Sequence, residues 1–155
     1  VIAHQHLPIF HTEHCVFARF MSQGNSYRDC GRPCERHVVH VRDPGGADHL
    51  VQADIGCRNT VFNAQAQSAA PFAKDFLKAG IQHYRIELVD EPADQLTGIF
   101  EGYRQLLNGS LNHQDLWQRL RHIPDANDHP QGVGIGSLSV RIEQAKSSMK
   151  APTAR

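Results

Sequence analysis

Four cysteines stand at positions 15, 30, 34 and 57 of a 155-residue chain, in a C-x14-C-x3-C-x22-C spacing. Three chemistries are open to them. Disulfides are one, since the count is even; but nothing in the sequence suggests secretion, and cytosolic thiols stay reduced. Packing is another, because a free cysteine behaves as a small hydrophobe. That suits a cysteine on an apolar strand and suits Cys30 and Cys34 poorly, since "DCGRPCERH" is a polar Gly-Pro loop with little core to join. Metal binding is the third. Thiolates favour soft metals, zinc in a closed tetrahedral site or iron in an iron–sulfur cluster. Two ligands in one short loop, with one before and one after, make a workable cage. Spacing alone does not separate zinc from iron.

Other side chains near these thiols carry chemistry of their own. His11 lies close in sequence to Cys15 and suits a proton carrier or hydrogen-bond partner in the site. His4, His6 and His14 share that neighbourhood. On a strand His4 and His6 face the same side, where satisfied polar residues at a sheet end are expected; a mixed Cys/His zinc site is the rival. Arg58 and Asn59 directly follow Cys57, placed to contact a cluster or substrate, or to cap the next helix. Arg85 and Glu87 flank Ile86 and so share one strand face, where they pair with each other or meet a substrate. Arg19, Arg28, Arg32, Arg36 and Arg42 gather near the cysteine loop. They suit phosphate contacts if the substrate is RNA, and otherwise a solvated surface. No nucleophile–base pair for covalent catalysis can be named.

The elements that must position these groups are legible in outline. "VIAHQHLPIF" reads as a strand with Pro8 near its end, and "TEHCVFARFMS" as a short helix with Thr12 as N-cap. Residues 22–36 read as an irregular loop. "HVVHVRD" and "DHLVQAD", separated by "PGGA", predict a hairpin, because glycine supplies the positive φ of a tight reversal. After "CRNTVFNAQAQ", Ala69, Phe72, Ala73, Phe76 and Leu77 fall at helical spacing, with Gly80 at the C-terminal cap. "IQHYRIELVD" reads as a strand. A helix follows from Pro92 to Gly109, with Leu96, Ile99, Phe100, Tyr103 and Leu107 as its buried stripe. "NHQDLWQRL" is a further short helix capped by Asn112. The expected divisions are 1–109, the strand–helix portion with the cysteine motif; 110–136, a helix and irregular segment; and 137–155, a polar tail.

Sixteen basic and sixteen acidic side chains cancel, so no overall field draws the chain to nucleic acid or anionic lipid. No apolar run approaches the roughly 20 residues that span a bilayer. The chain reads as soluble and cytosolic. It opens at Val1 inside an apolar stretch, which suggests a piece of a longer polypeptide. Strand–helix alternation implies α/β architecture with parallel strands and the hairpin as an insertion.

"FHTEHC", then "CGRPC", "DIGC" and "YRIEL", together resemble the collagenase-like peptidases of unclassified peptidase family thirty-two. Phe10, His11 and Cys15 fit the first family element approximately, and Cys30, Pro33 and Cys34 the second. Asp54 and Cys57 fit the third, and Arg85, Ile86 and Glu87 the last, over residues 1 to about 108. Thr12, Glu13 and His14 replace the family's Gly-Ala-Leu, and Leu88 and Val89 replace its Gly-Arg. Ser22 stands where the family has a further cysteine, so a four-ligand set requires Cys34.

The resemblance implies the late portion of a TIM-like (β/α)8 barrel, with the remainder of the barrel as its partner. It implies a 4Fe–4S cluster held by Cys15, Cys30, Cys34 and Cys57, with zinc as the alternative. It also implies oxygen-independent hydroxylation of an RNA base or a quinone-type aromatic ring. His11, Arg85 and Glu87 would serve catalysis, and Arg58 and Asn59 substrate binding. The alternatives are a collagenase-like peptidase and a zinc-stabilised module that binds RNA or protein without catalysis.

Overall fold

The computed structural model describes residues 1–124 and 132–139. Among the described residues the strands are β1 (Ile2–Thr12), β2 (Val39–Arg42), β3 (Asp48–Ala53), β4 (Asn59–Ser68), β5 (Arg85–Ile86) and β6 (Val133–Gly134). The helices are α1 (Val16–Met21), α2 (Ala73–Lys78), α3 (Leu96–Leu107) and α4 (His113–Arg121). The strand order is β2-β3-β4-β1-β5, with β6 beside β4. The polar tail expected at 137–155 lies outside the described residues beyond 139, as does the part of the irregular segment at 125–131.

This order overturns the barrel expectation. A (β/α)8 barrel needs consecutive parallel strands, each joined to the next by a helical crossover of a dozen residues or more. Here β2 pairs antiparallel with β3, and β3 antiparallel with β4. Only residues 43–47 and 54–58 connect them, too few for a crossover. The predicted hairpin is present, but it is no insertion into a parallel sheet: β4 continues it as a third antiparallel strand. β1 pairs parallel with β5, and β4 with β6.

Contacts divide the chain into two units. The first, His6–Ala64, holds all four cysteines. Its core is Phe17 from α1 against Val51 and Val61, with Cys15, Val16, Val39 and Ala53 packed around them. The second comprises Val1–Gln5 and Gln65 onward. In it Ile99, Tyr103 and Leu106 of α3 meet Leu116 and Leu120 of α4. Gly102 lets the helices approach, because a Cβ there would lie 2.6 Å from Leu116 Cδ1. Burying each of these aliphatic side chains stabilises by about 1.5–3 kcal/mol. Phe100, expected in the stripe, is half exposed. It lies one step round from Ile99, and the buried face runs through Ile99, Gly102, Tyr103 and Leu106. Asn112 caps α4 as expected, its Oδ1 accepting the Asp115 N–H at 2.9 Å. Among the described residues no helix is long and apolar enough to cross a membrane.

Candidate metal centre

Cys15, not Thr12, is the N-cap of α1. Its backbone is extended (φ −73°, ψ 111°), and its Sγ accepts the Ala18 N–H at 3.4 Å. Sulfur here takes the part a serine oxygen plays at an ordinary cap. The Thr12 hydroxyl instead accepts the His14 N–H at 3.2 Å. Asn59, the first residue of β4, sits behind Cys15 and is fully buried. Its Oδ1 accepts the Val16 N–H, and its Nδ2 lies 3.9 Å from Cys15 Sγ.

Cys30 is placed by a loop closed on Asp29. Asp29 Oδ1 accepts N–H groups from Asn25 at 3.1 Å and Ser26 at 2.7 Å, and the Ser26 hydroxyl at 3.0 Å. The Ser26 and Asn25 backbone donors hold this carboxyl below its ordinary pKa. The Cys30 N–H closes back on Ser26 O at 2.9 Å. Gly31 (φ +67°) and Arg32 (φ +49°) then turn left-handed, which aims the Arg32 N–H at Cys30 Sγ, 3.4 Å away. A left-handed arginine costs roughly 1–2 kcal/mol. Pro33–Glu35 follow as a single 3-10 turn that leaves Cys34 exposed.

The close fit of this loop makes Gly24 irreplaceable. A Cβ there would lie 2.4 Å from the Asp29 carbonyl carbon and oxygen and 2.6 Å from the Cys30 nitrogen. These are backbone atoms and cannot swing aside as a side chain would. Gly24→Ala is expected to destabilise the protein by about 1–3 kcal/mol in urea unfolding. A change below about 0.5 kcal/mol, the range of ordinary surface substitutions, would show that the loop backbone yields to a side chain at this position.

Cys57 occupies the turn between β3 and β4 with φ +60°. Its N–H donates to Asp54 O at 3.0 Å. Asp54 Oδ1 accepts the Gly56 and Arg58 N–H groups at 2.9 and 3.1 Å, and Arg58 pairs with Oδ2 at 2.9 Å. Burial pushes the Asp54 carboxyl up, but these donors and the Arg58 charge outweigh it and hold the pKa below its ordinary value. The Cys57 thiol is pushed up, first by burial and then by the charges of Cys15, Cys30 and Cys34, with Asp54 adding last.

Three of the four thiols share a surface. Cys15, Cys30 and Cys57 line one cavity of about 930 Å³, together with His14, Phe20 and Tyr27. All four thiols are free. Among the described residues no three His, Cys, Asp or Glu side chains stand close enough, as placed, to hold a metal ion. The sulfurs are neighbours without meeting at a point. The donor set still fits a soft metal: four thiols from three chain segments, two of them already receiving backbone N–H groups. Such N–H···S bonds stabilise thiolate charge in metal sites.

The remaining sequence candidates fall elsewhere. His11 is exposed, its Nδ1 bonded to Thr60 Oγ1 at 2.8 Å, and it does not line this cavity. Arg58 is engaged by Asp54, and Asn59 lies under Cys15 rather than at the surface. Arg85 and Glu87 belong to the other unit and pair with each other at 2.6 Å. His4 and His6 are both buried and satisfied, His6 Nδ1 with Asn63 O at 2.7 Å. Ser68, Tyr103, His4 and Glu91 form a hydroxyl–imidazole–carboxylate chain, but it is sealed from solvent and offers no face to a peptide. The sequence singles out Asn59 as a contact to a cluster or substrate or as a helix cap, but carries no signal of its buried bond to the Val16 N–H, 43 residues away. Compared with protein-family models, curated proteins and solved structures, the chain shows no significant match.

Proposed function

We propose that Cys15, Cys30, Cys34 and Cys57 are the thiolate ligands of a soft-metal centre. In this reading the centre is a 4Fe–4S cluster serving oxygen-independent hydroxylation of an RNA base or a quinone-type aromatic ring. The observation that carries the reading is that cysteines from three separate segments, Cys15, Cys30 and Cys57, line one cavity. The iron assignment rests on the motif order that resembles peptidase family thirty-two. A cluster supplies one-electron chemistry whose potential is set by burial and by N–H donors to sulfur.

Two features support this reading. The cysteine-bearing unit has a thin core, while Phe20, Val38 and Ile55 are 80, 68 and 106 % exposed. Domains with so little buried apolar surface commonly rely on a metal or another cross-link. The cavity wall also carries flat aromatic groups: Phe20, and Tyr27 with the Arg28 guanidinium 5.5 Å over its ring. Such faces stack against a base or a quinone ring.

Protein purified without oxygen is expected to be brown, to absorb near 400 nm and to carry about four iron and four sulfide per chain. One zinc per chain, with no colour and no redox signal, would reassign the centre as a zinc-stabilised binding module on the same cysteines. A metal-free protein with four reactive thiols would overturn the proposal.

A further inference from the structure

The geometry points to Asn59 as the positioning residue of the metal centre, joining the Cys15 ligand to the start of α1 through its two amide atoms. This inference rests on the reading of Cys15 as a ligand. Asn59 is fully buried, where an amide must satisfy both its acceptor and its donors. The acceptor, Oδ1, takes the Val16 N–H, the amide directly after Cys15. The donor, Nδ2, faces Cys15 Sγ at 3.9 Å, and the same sulfur receives the Ala18 N–H at 3.4 Å. One side chain thus fixes the backbone beside the ligand and turns a donor toward its sulfur. Asn59 also follows Cys57 by two residues at the end of the 54–58 turn, so it ties the segment of one ligand to the segment of another. It need not touch substrate. It acts through Cys15.

Asn59→Asp separates the two tasks. The carboxylate is nearly isosteric and keeps an acceptor for Val16, but it removes the donor and brings negative charge to the sulfur. Outer partners of metal ligands typically contribute about 10–100-fold in affinity. N59D is therefore expected to bind cobalt(II) about 10–100-fold more weakly than the parent protein in a chelator competition. Its sulfur-to-cobalt charge-transfer band should move to longer wavelength, because a sulfur without its donor gives up an electron more easily. Circular dichroism of the metal-free variant should stay close to the parent, with a lower melting temperature because a carboxylate at this fully buried position is costly. A purely structural asparagine would not move that band. Should N59D fail to fold, the shorter, uncharged Asn59→Ser replaces it, with weaker binding and a band shift in the same direction.

Parent-like affinity and band position in a folded variant, alongside loss of binding in Cys15→Ser, would overturn the role of Asn59 and leave the ligand reading intact. If the parent protein takes up no cobalt, or Cys15→Ser binds it as the parent does, the ligand reading fails and this inference with it.

Discussion

Glu91→Ala is expected to lower the stability of the protein by about 3–5 kcal/mol, because it removes the carboxylate that accepts three N–H groups, each buried donor left without its acceptor costing roughly 1–3 kcal/mol. Glu91 Oε1 accepts from His4 Nε2 at 2.8 Å, and the two side chains are 4 and 2 % exposed. Its Oε2 accepts the Val89 and Asp90 N–H groups at 2.8 and 3.2 Å. On the other side of the imidazole, Nδ1 meets Tyr103 OH at 3.2 Å, and that hydroxyl meets Ser68 Oγ at 2.6 Å. One proton order satisfies every group: Nε2–H to Glu91, Tyr103 O–H to Nδ1, Ser68 O–H to Tyr103, and the Ala70 N–H to Ser68 at 3.2 Å. Burial pushes the Tyr103 phenol upward, the Ser68 bond opposes it, and the Glu91 charge adds to the rise. The phenol therefore stays protonated as this order requires.

Alanine at 91 takes the carboxylate away from the imidazole and two backbone donors together. Urea unfolding followed by circular dichroism measures the loss. The double variant His4→Leu/Glu91→Leu should recover part of it, because the imidazole that loses its carboxylate is then gone as well. A single-variant loss below about 1 kcal/mol, the net worth of an ordinary hydrogen bond, would mean that water or another group takes over from the carboxylate.

The second large effect concerns metal. Cys57→Ser should reduce metal affinity by more than about 100-fold, beyond the range for outer partners, because a neutral hydroxyl is a poor ligand for zinc or iron beside three thiolates. The metal-free fold should survive, since Cys57 sits half-buried at a turn held by Asp54 and Arg58 rather than inside the core. Cys34→Ser is the more searching variant. Cys34 is exposed and does not line the cavity shared by Cys15, Cys30 and Cys57. Equal loss of metal in both variants identifies a four-thiolate site. Full retention in Cys34→Ser would reduce the ligand set to three. Arg85→Ala serves as the control: its pair with Glu87 is 67 and 38 % exposed and should matter little to stability or metal content.

Several elements could be read from local chemistry. "PGGA" between two β-rich runs specified the β2–β3 hairpin, since the reversal needs a residue such as Gly46, with φ +89°. Helical spacing located α3 and α4, and Asn112 announced the start of α4. Two-residue periodicity put His4 and His6 on one side of β1, where both are buried. Other elements had no such signal. The second half of β4, "NAQAQS", has low β-propensity and is a strand because Ala66 and Gln67 pair with Val133 and Gly134, far along the chain. The strand expected in "IQHYRIELVD" shrinks to Arg85–Ile86, set by its pairing with Ile2 and His4 of β1.

By itself, then, the sequence determined which thiols are available, the β2–β3 hairpin, and the course of α3 and α4 with the Asn112 cap, though not the cap of α1, which is Cys15 rather than Thr12. These depend on backbone preferences and side-chain periods that act over a few residues. Only the tertiary structure decided that the sheet runs antiparallel through β2, β3 and β4, that Cys15, Cys30 and Cys57 open onto one cavity, and that Asn59 lies beneath Cys15. Each of these unites residues distant along the chain. Strand order, burial and hydrogen-bond partners arise when such segments pack together, and no short stretch of sequence records which partner it will meet.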